Sequence, residues 1–449
     1  MRWDHLAEQR GQEHFAIWLQ YLSQQMPLLA LQLANQHRPT HTATVASDLS
    51  TSGFDIRCYV TFEDGITVVV RFPILGRTIF RVEKTRNEVA ALRYLARTTI
   101  VPVPLVLGAG AWGCGPYMVT QYIPATPLSN HIESSLAATA LTRELRRAYH
   151  CMARITLELS KQTFPRIGAL SQDIDGKWNI SNRPLTHNMN ELARGGNLPS
   201  LALSDKTFAT SSQYFTELAT QHMHHLRYQR NNAVSDVDDC KRKYIARCLF
   251  RRISRTIDTE PGPFRLFCDN LHPSNVLVSA AEDSDFNVAA VIDWGNTYVA
   301  PNEFTYAAPW WLLSDSPETW APKNLTQFIP RYIPYLNLFL RILSACEDND
   351  IQKGTLSASQ RLSDRMANSF HNGLFWFCLA ARNASMFDQI YWQFLDTRYF
   401  GPLQSLEDRL CRLSVEELDE LDQFVGLKMK QASEQCLDEH MSFDDYLQL

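Results

Sequence analysis

Two short runs in the second half of the chain carry residue types that phosphoryl transfer needs. They are C-D-N-L-H-P-S-N at 268–275 and V-I-D-W-G at 291–295, each beside an apolar, β-branched segment. The amide of Asn275 and the carboxylate of Asp293 are therefore expected on two strands of one hairpin. Mg²⁺ takes few protein oxygens and fills its remaining positions with water and nucleotide phosphates. The sequence predicts a magnesium site with Asn275 and Asp293 as its ligands.

Asp and Asn at strand ends are, one by one, more often turn formers than metal ligands. The two motifs in register favour the metal site, and they resemble the aminoglycoside phosphotransferase and choline kinase-like family. That family's catalytic loop usually reads H-G-D-L-H-P-G-N, and its metal loop reads I-D-W or I-D-F. Flanking segments look like a fungal branch of the family: V-R-F-P at 70–73, R-N-E-V at 86–89 and A-P-N-E-F at 300–304.

This resemblance implies a fold, a reaction and its cofactors. The fold would be α+β and bilobal, protein-kinase-like, with a small antiparallel-sheet N-lobe that includes one key helix and a larger, mainly helical C-lobe. The cofactors would be ATP and Mg²⁺. The reaction would move a phosphoryl group to a hydroxyl of a small-molecule acceptor.

The catalytic loop departs from the family at one position. Asn270 replaces the usual aspartate, and Asp269 stands where glycine is usual. An asparagine amide can hydrogen-bond a hydroxyl but cannot take up its proton, and loss of a general base typically costs ~10²–10⁴ in rate. Either Asp269 substitutes in an active kinase, or the protein is a weak or inactive pseudokinase that binds nucleotide. A third alternative is a cleft that binds nothing. His272 is expected to brace the loop.

The nucleotide side is predicted from the same resemblance. Arg71 ends the strand that carries the phosphate-contacting lysine in kinases, and Glu88 lies on the following helix where the ion-pair partner belongs. Arginine keeps the charge but presents a planar fork, so the phosphate geometry must differ. The alternative is an ordinary surface pair.

Two loops complete the predicted nucleotide site. Ser52 and Gly53 precede the first hairpin at the place of a phosphate-covering loop, although one glycine is a weak signal and an ordinary loop is nearly as well supported. Gln121 to Ile123 would form the hinge, whose backbone meets the adenine edge.

The elements that must position these residues follow from hydrophobic periodicity. Residues 3–36 have a helical pattern, and 56–62 and 66–72 are strands joined by an Asp-Gly turn. A helix follows, in which Val89, Leu92 and Leu95 share a face with Glu88. Residues 116–123 end this part as a strand. We predict an N-terminal helix plus nucleotide-binding lobe at 1–124 and a helical lobe at 125–449, which contains the catalytic and metal loops (264–295).

Residues 165–235 lack periodicity and predict a long irregular insertion, a kind of segment that is usually functional or mobile. Two other features favour structure over chemistry. His222 and His225 could share a helical face, but without a Cys or acid at ligand spacing a solvated face is favoured over zinc. Tyr306, Trp310 and Trp311 are more typical of a core than of a substrate wall.

Composition excludes several classes of protein. The 449 residues carry a net charge of −5, so no basic field exists to hold nucleic acid or an anionic membrane. The sequence contains no run of 18 apolar residues, so it predicts no membrane helix. Ten cysteines without C-x-x-C spacing, and an N-terminus without an apolar leader core, predict reduced thiols in a cytoplasmic protein. Nothing in the sequence specifies an oligomeric state.

Overall fold

A small sheet lobe and a larger helical lobe make up the protein. The computed structural model describes residues 1–137, 141–279, 286–315, 317–320 and 325–448. The strands are β1 Ala43–Ala46, β2 Ser50–Ser52, β3 Asp55–Phe62, β4 Thr67–Pro73, β5 Val106–Trp112, β6 Gly115–Gln121, β7 Thr126–Pro127, β8 Thr163–Phe164, β9 Ala169–Gln172, β10 Trp178–Asn182, β11 Phe264–Cys268, β12 Val276–Val278, β13 Val288–Val291 and β14 Thr297–Ala300.

The helices are distributed over both lobes and dominate the second. They are α1 His5–Gln25, α2 Leu28–His37, α3 Arg81–Thr98, α4 Ser129–Ala137, α5 Arg143–Ser160, α6 His187–Gly195, α7 Ser211–Tyr228, α8 Val237–Thr256, α9 Asn302–Tyr306, α10 Pro317–Trp320, α11 Leu325–Gln352, α12 Ser363–Asn372, α13 Leu374–Arg382, α14 Phe387–Ile390, α15 Asp396–Phe400, α16 Glu407–Leu410, α17 Val415–Glu434 and α18 Phe443–Gln448. The predicted α+β class, with an antiparallel-sheet lobe followed by a helical lobe, is confirmed.

The N-lobe sheet has the strand order β1-β3-β4-β6-β5, with β2 on the end of β3, and its pairings are antiparallel. The predicted β3–β4 hairpin is confirmed, and its turn uses Gly65 at a φ of 82°. Alternate residues of β3, from Ile56 to Phe62, are buried on the outer face against α1 and α2. The other face of β3 and β4 therefore turns towards the cleft between the lobes.

The predicted N-terminal helix is divided into two. Helix α1 ends at Gln25, and Met26 is extended because a residue before proline disfavours the α conformation. Helix α2 then starts after Pro27. Several short strands were not predicted, among them β1 and β2. Strand β5 was also missed, because its sequence V-L-G-A-G-A-W contains small residues that give little β signal.

Helix α3 links the two lobes. The helix was predicted from the spacing of Val89, Leu92 and Leu95. Its residues Ala91, Leu92 and Leu95 belong to the same hydrophobic core as the C-lobe helices. Lys84 and Glu88 are one turn apart and both buried. The helix therefore carries two charged side chains into the junction of the lobes.

The prediction of an irregular segment at 165–235 is wrong. This segment contains the β9–β10 hairpin, α6 and the 18-residue helix α7. Tyr214, Phe215, Leu218 and Leu226 of α7 are buried in the C-lobe core, although interspersed Thr, Gln and His residues weaken the periodic pattern in the sequence.

No disulfide joins any of the ten cysteines, all of which lie in the described part of the chain, and seven of them are buried. Among the described residues, no helix combines the length and the apolar character needed to cross a bilayer.

Asp4 fixes the start of α1 to the C-lobe. Its fully buried carboxylate accepts from the Leu6 N–H at 3.0 Å as the helix N-cap. It also accepts from the backbone N–H of Asn231 at 2.9 Å and from the side-chain amide of Asn231 at 3.0 Å. Because Trp18 of the same helix is in the N-lobe core, α1 bridges both lobes.

We expect Asp4→Ala to lower the free energy of unfolding by about 2–4 kcal/mol, because an N-cap and the acceptors of a buried amide are lost together. Urea denaturation measures the change. The exposed Asp48, replaced by Ala, is the matched control and should change stability by less than about 0.5 kcal/mol. Equal midpoints for the two variants would contradict the bridging role of α1.

Candidate active site

The predicted metal ligands lie side by side at the end of one hairpin. Strand β12 pairs antiparallel with β13, and the Ile292 N–H donates to the Asn275 carbonyl at 2.9 Å. Asn275 ends a short 3₁₀ turn at Pro273–Asn275, and Asp293 has a φ of 63°. Residues 280–285, which lie between these two strands in the sequence, fall outside the described part of the chain. The backbone therefore brings Asn275 and Asp293 together as the sequence predicts.

A chain of hydrogen bonds connects these two residues through Asn270. The Asn275 amide nitrogen donates to the Asn270 carbonyl at 2.9 Å, and the Asn270 amide donates to the Asp293 carboxylate. Within the described part of the chain, no donor reaches the Asn275 Oδ1. That oxygen and the second Asp293 oxygen form a hard-oxygen donor set, which fits Mg²⁺ and leaves positions for water and phosphate.

Arg71 and Glu88 form the predicted pair, but the alternative of a surface pair is wrong because both are buried. Arg71 Nη1 donates to Glu88 Oε1 at 2.6 Å. Arg71 Nη2 donates to Asp55 on β3, a partner that the sequence analysis missed. One guanidinium is thus enclosed by two carboxylates.

Burial and charge act in opposite directions in this cluster. Burial would raise the pKa of Asp55, but attraction to Arg71 and Lys84 holds it below its ordinary value. At Glu88 burial prevails and raises the pKa, with Arg71 and Lys84 offsetting part of the rise. The neighbouring carboxylates raise the pKa of Arg71 despite burial, so its charge persists.

The hinge residues line a cavity of about 270 Å³ between the lobes. Gln121 and Ile123 form one rim, Arg71, Glu88 and Asp293 lie at the polar end, and Leu277 forms part of the floor. Among residues that the structure describes, the Ile123 N–H has no acceptor. A backbone donor is therefore available to the polar edge of a bound ring.

Ser52 and Gly53 lie apart from this cavity. Gly53 has a φ of 55° in the turn after β2, its carbonyl accepts from Arg77 at 2.9 Å, and it lines a neighbouring pocket of about 410 Å³. Phe54, next along the turn, lies between the lobes, with its ring 5.6 Å from Lys84 Nζ. Phe54 therefore reaches the polar end of the cleft from this turn.

The catalytic-loop residues line a second cavity of about 300 Å³. Asp269, Asn270 and His272 line this cavity together with Trp310 and Trp311. The expectation that these tryptophans are simply core residues is wrong for Trp310, which is half-buried on the cavity wall, while Trp311 is both buried and part of the lining.

Asp269 faces this cavity and is held by the C-lobe. Its Oδ1 accepts from the Tyr298 hydroxyl at 3.2 Å and from Arg382 Nη1 at 3.4 Å, and its Oδ2 accepts from the His187 N–H at 3.3 Å. Burial and the Asp269 charge raise the pKa of Tyr298 well above its ordinary value, which keeps that hydroxyl a donor.

The backbone of His272 stabilises the loop, and its ring forms part of the cavity wall. Its carbonyl accepts from the Asn275 N–H at 3.0 Å, which closes the loop. Its ring centroid is 6.0 Å from that of Trp310, and burial lowers the pKa of the imidazole. The ring is thus a neutral part of the cavity wall near neutral pH.

Sequence reasoning missed Asp55, Lys84 and Arg382. Lys84 had a usable signal, since it precedes Glu88 by one helical turn. For Asp55, the only signal in the sequence was its place directly after the Gly53 turn. Arg382 ends α13, far along the chain from Asp269, and no local pattern indicates that the two meet.

The prediction of a solvated face for His222 and His225 is also wrong, because both are fully buried. The His222 ring lies 4.3 Å from Phe387, and the His225 Nε2 is 2.8 Å from the Gln229 amide oxygen. Burial lowers the pKa of His222 to about 3. Among the described residues, no group of three His, Cys, Asp or Glu side chains could hold a metal.

A family model agrees with this geometry. The model described as the phosphotransferase enzyme family (APH) matches residues 51–322, more than half of the chain and both cavity-lining loops. The chain belongs to this phosphotransferase family. The predicted family membership is therefore confirmed. No curated protein sequence matches the chain significantly.

Several solved structures are similar to this chain at low sequence identity. A mutant of aminoglycoside 2′-phosphotransferase IIIa with GDP is 14% identical, covering 90% of this chain and 97% of that chain, with a TM-score of 0.37. A macrolide 2′-phosphotransferase from Brachybacterium faecium is 14% identical, with coverage of 84% and 98% and a TM-score of 0.31. An amicoumacin kinase in complex with AMP-PNP, Ca²⁺ and Ami is 12% identical, with coverage of 89% and 91% and a TM-score of 0.40.

The contact between Asn270 and Asp293 predicts how a negative charge at position 270 would change the stability of this phosphotransferase-family protein. Asn270→Asp places two carboxylates in contact, so without divalent metal we expect a loss of about 1–3 kcal/mol in stability. Added Mg²⁺ should raise the melting temperature of this variant more than that of the wild type. Thermal unfolding with EDTA or Mg²⁺ measures both effects.

The exposed Asn337, changed to Asp, is the control for the added charge and should show neither effect. If Asn270→Asp melts like the wild type in EDTA, the hydrogen bond to Asp293 contributes nothing and the arrangement described here is wrong.

Proposed function

We propose that this protein is an ATP- and Mg²⁺-dependent phosphotransferase that phosphorylates a hydroxyl of a small molecule. One observation carries the proposal. Asp293 lines the cavity beneath the hinge, Asn270 lines the cavity beneath Trp310, and the two side chains are hydrogen-bonded to each other. A nucleotide in the first cavity and an alcohol in the second would therefore meet at this contact, as in-line transfer requires.

The first cavity suits a nucleotide. Apolar walls from Val69, Leu92 and Ile292 fit the faces of a flat ring, and the free Ile123 N–H can donate to its edge. Asn275 Oδ1 and the Asp293 carboxylate would hold Mg²⁺. When bound, this ion would offset the negative charge of the phosphoryl group being transferred.

The second cavity suits a small polar acceptor. Its volume of about 300 Å³ is at the lower end of the range for small-molecule pockets. Trp310, Trp311 and Leu379 supply apolar contact, while Asp269 and Arg382 supply a charged pair that can orient polar groups. These linings support a small molecule with both apolar and hydrogen-bonding groups.

Asp269 is the group we assign to the acceptor hydroxyl. Asn270 cannot take up a proton, and its amide is already engaged with Asp293. The Asp269 carboxylate lines the acceptor cavity one residue earlier, fixed by Tyr298 and Arg382. It can accept the hydroxyl's hydrogen bond and then its proton, while phosphoryl transfer itself depends mainly on positioning and charge.

A second candidate is a nucleotide-binding pseudokinase. The same residues favour this candidate. The Asn270 amide occupies one oxygen of Asp293, and Arg382 is already paired with the Asp269 carboxylate. Thermal shift with Mg·ATP tests nucleotide binding, and ATP consumption over a panel of hydroxylated amines, with and without Mg²⁺, tests transfer. Binding without Mg²⁺-dependent consumption across such a panel supports the pseudokinase, and no thermal shift contradicts both candidates.

With the acceptor that the panel identifies, we expect Asp269→Asn to lower kcat by about 10²–10⁴, because the variant keeps the shape of the side chain but loses the proton acceptor. ATP affinity should stay within about twofold. Steady-state kinetics and a nucleotide titration measure the two quantities.

The exposed Asp364, changed to Asn, is the matched control and should leave kcat unchanged. An unchanged kcat in Asp269→Asn, together with a large gain in Asn270→Asp, would show that the native loop lacks its base and that the assignment of Asp269 is wrong.

A further inference from the structure

Arg71 is poorly placed to bind a phosphate. Its two terminal nitrogens donate to Glu88 and Asp55 through three of the five N–H groups of the guanidinium, and its Nε is buried. Arg71 lines the hinge cavity, but an incoming phosphate would have to compete with two carboxylates that already hold its terminal nitrogens. The strand position that carries the phosphate-binding lysine in kinases is therefore occupied by a structural cation.

Lys84 differs from Arg71 in its partners. Its Nζ is 3.8 Å from Asp293 Oδ1 and 3.9 Å from Asp55 Oδ1. Both contacts are ion pairs, but they are too long for hydrogen bonds. Within the described part of the chain, its three N–H donors have no hydrogen-bond acceptor, although the side chain is only 7% exposed.

Gly295 leaves the space that the Lys84 side chain occupies. A Cβ on Gly295 would be 2.6 Å from Lys84 Cε and 2.8 Å from its Cγ. The Lys84 stem therefore crosses the metal loop at a position where a larger residue would displace it. The Phe54 ring lies 5.6 Å from the Nζ on the other side, which adds a cation–π contact.

The Lys84 ammonium lies close to two carboxylates, those of Asp293 and Asp55. An ammonium with unfilled donors thus lies beside the carboxylate assigned to the metal. Ligands of one Mg²⁺ ion lie about 2.1 Å from it, so phosphate oxygens on the same ion come within a few ångströms of that carboxylate.

We infer that Lys84, rather than Arg71, is the cation that binds the nucleotide phosphates. This inference rests on the proposed function, because it requires a nucleotide in the hinge cavity. It assigns Arg71 to fixing Glu88 and Asp55, and it moves the phosphate contact from strand β4 to helix α3.

The test compares ligands that share a base and differ in phosphates. Equilibrium affinities for Mg·ATP and for adenosine are measured by calorimetry on the wild type and on Lys84→Met. We expect the variant to lose about 10- to 100-fold in ATP affinity, the usual effect of removing a hydrogen bond from a charged donor. Adenosine affinity should stay within about twofold, and Lys84→Arg should recover part of the loss.

Arg86→Met is the matched control, since Arg86 is two residues along the same helix and exposed. It should leave both affinities unchanged. If Lys84→Met binds ATP as the wild type does, Lys84 is not the phosphate cation, and the proposed function is unaffected. If the wild type binds neither ligand, the proposed function fails and this inference fails with it.

A measurement on the wild type covers the case in which Lys84→Met does not fold. An acyl phosphate derivative of ATP places a reactive carbonyl next to the phosphates. The amine that lies there attacks the carbonyl, an amide bond forms, ATP leaves and the amine proton passes to water. Peptide mapping should find the label on Lys84, and excess ATP should prevent it. Labelling of another lysine, or a Lys84 left unmodified, overturns the inference.

Discussion

Five charged side chains are packed between the lobes, and the rest of the site depends on their mutual neutralisation. Burying a charge is costly unless it is paired, yet Asp55, Arg71, Glu88 and Lys84 are all nearly inaccessible to water, with Asp293 beside them. Three carboxylates against two cations leave one net negative charge at the open end of the cluster. A bound divalent cation would be favoured at that end, next to Asp293.

Asn270 follows from the same constraint. An aspartate at this position would bring a fourth carboxylate into contact with Asp293, whereas an amide donates a hydrogen bond to it. The substitution therefore stabilises the loop without metal and removes a proton acceptor at the same time. Asp269 is paired with Arg382, so it can line the cavity that we propose for the acceptor without adding unpaired charge beside the proposed metal ligands.

Much of this arrangement could be predicted from local patterns. The Asp-Gly turn fixed the β3–β4 register, and the spacing of Val89, Leu92 and Leu95 identified the helix that presents Glu88. Contacts between distant segments could not be found in this way. Arg382 reaches Asp269 only through the packing of α13. Helix α7 was not predicted, because polar residues are interspersed with its buried aromatic residues. His222 and His225 are buried by segments that are distant in the sequence, such as the one that contains Phe387, and no local pattern indicates this packing.

The central claim is that Asn275 and Asp293 together hold the cation that accompanies a nucleoside triphosphate. The most direct measurement is a crystal structure with Mn²⁺ and a non-hydrolysable ATP analogue, because Mn²⁺ gives an anomalous signal and accepts the same oxygen ligands as Mg²⁺. The account predicts an anomalous peak within bonding distance of the Asn275 Oδ1, the Asp293 carboxylate and the phosphates. Nucleotide bound in the cleft with no peak between those two side chains would contradict it.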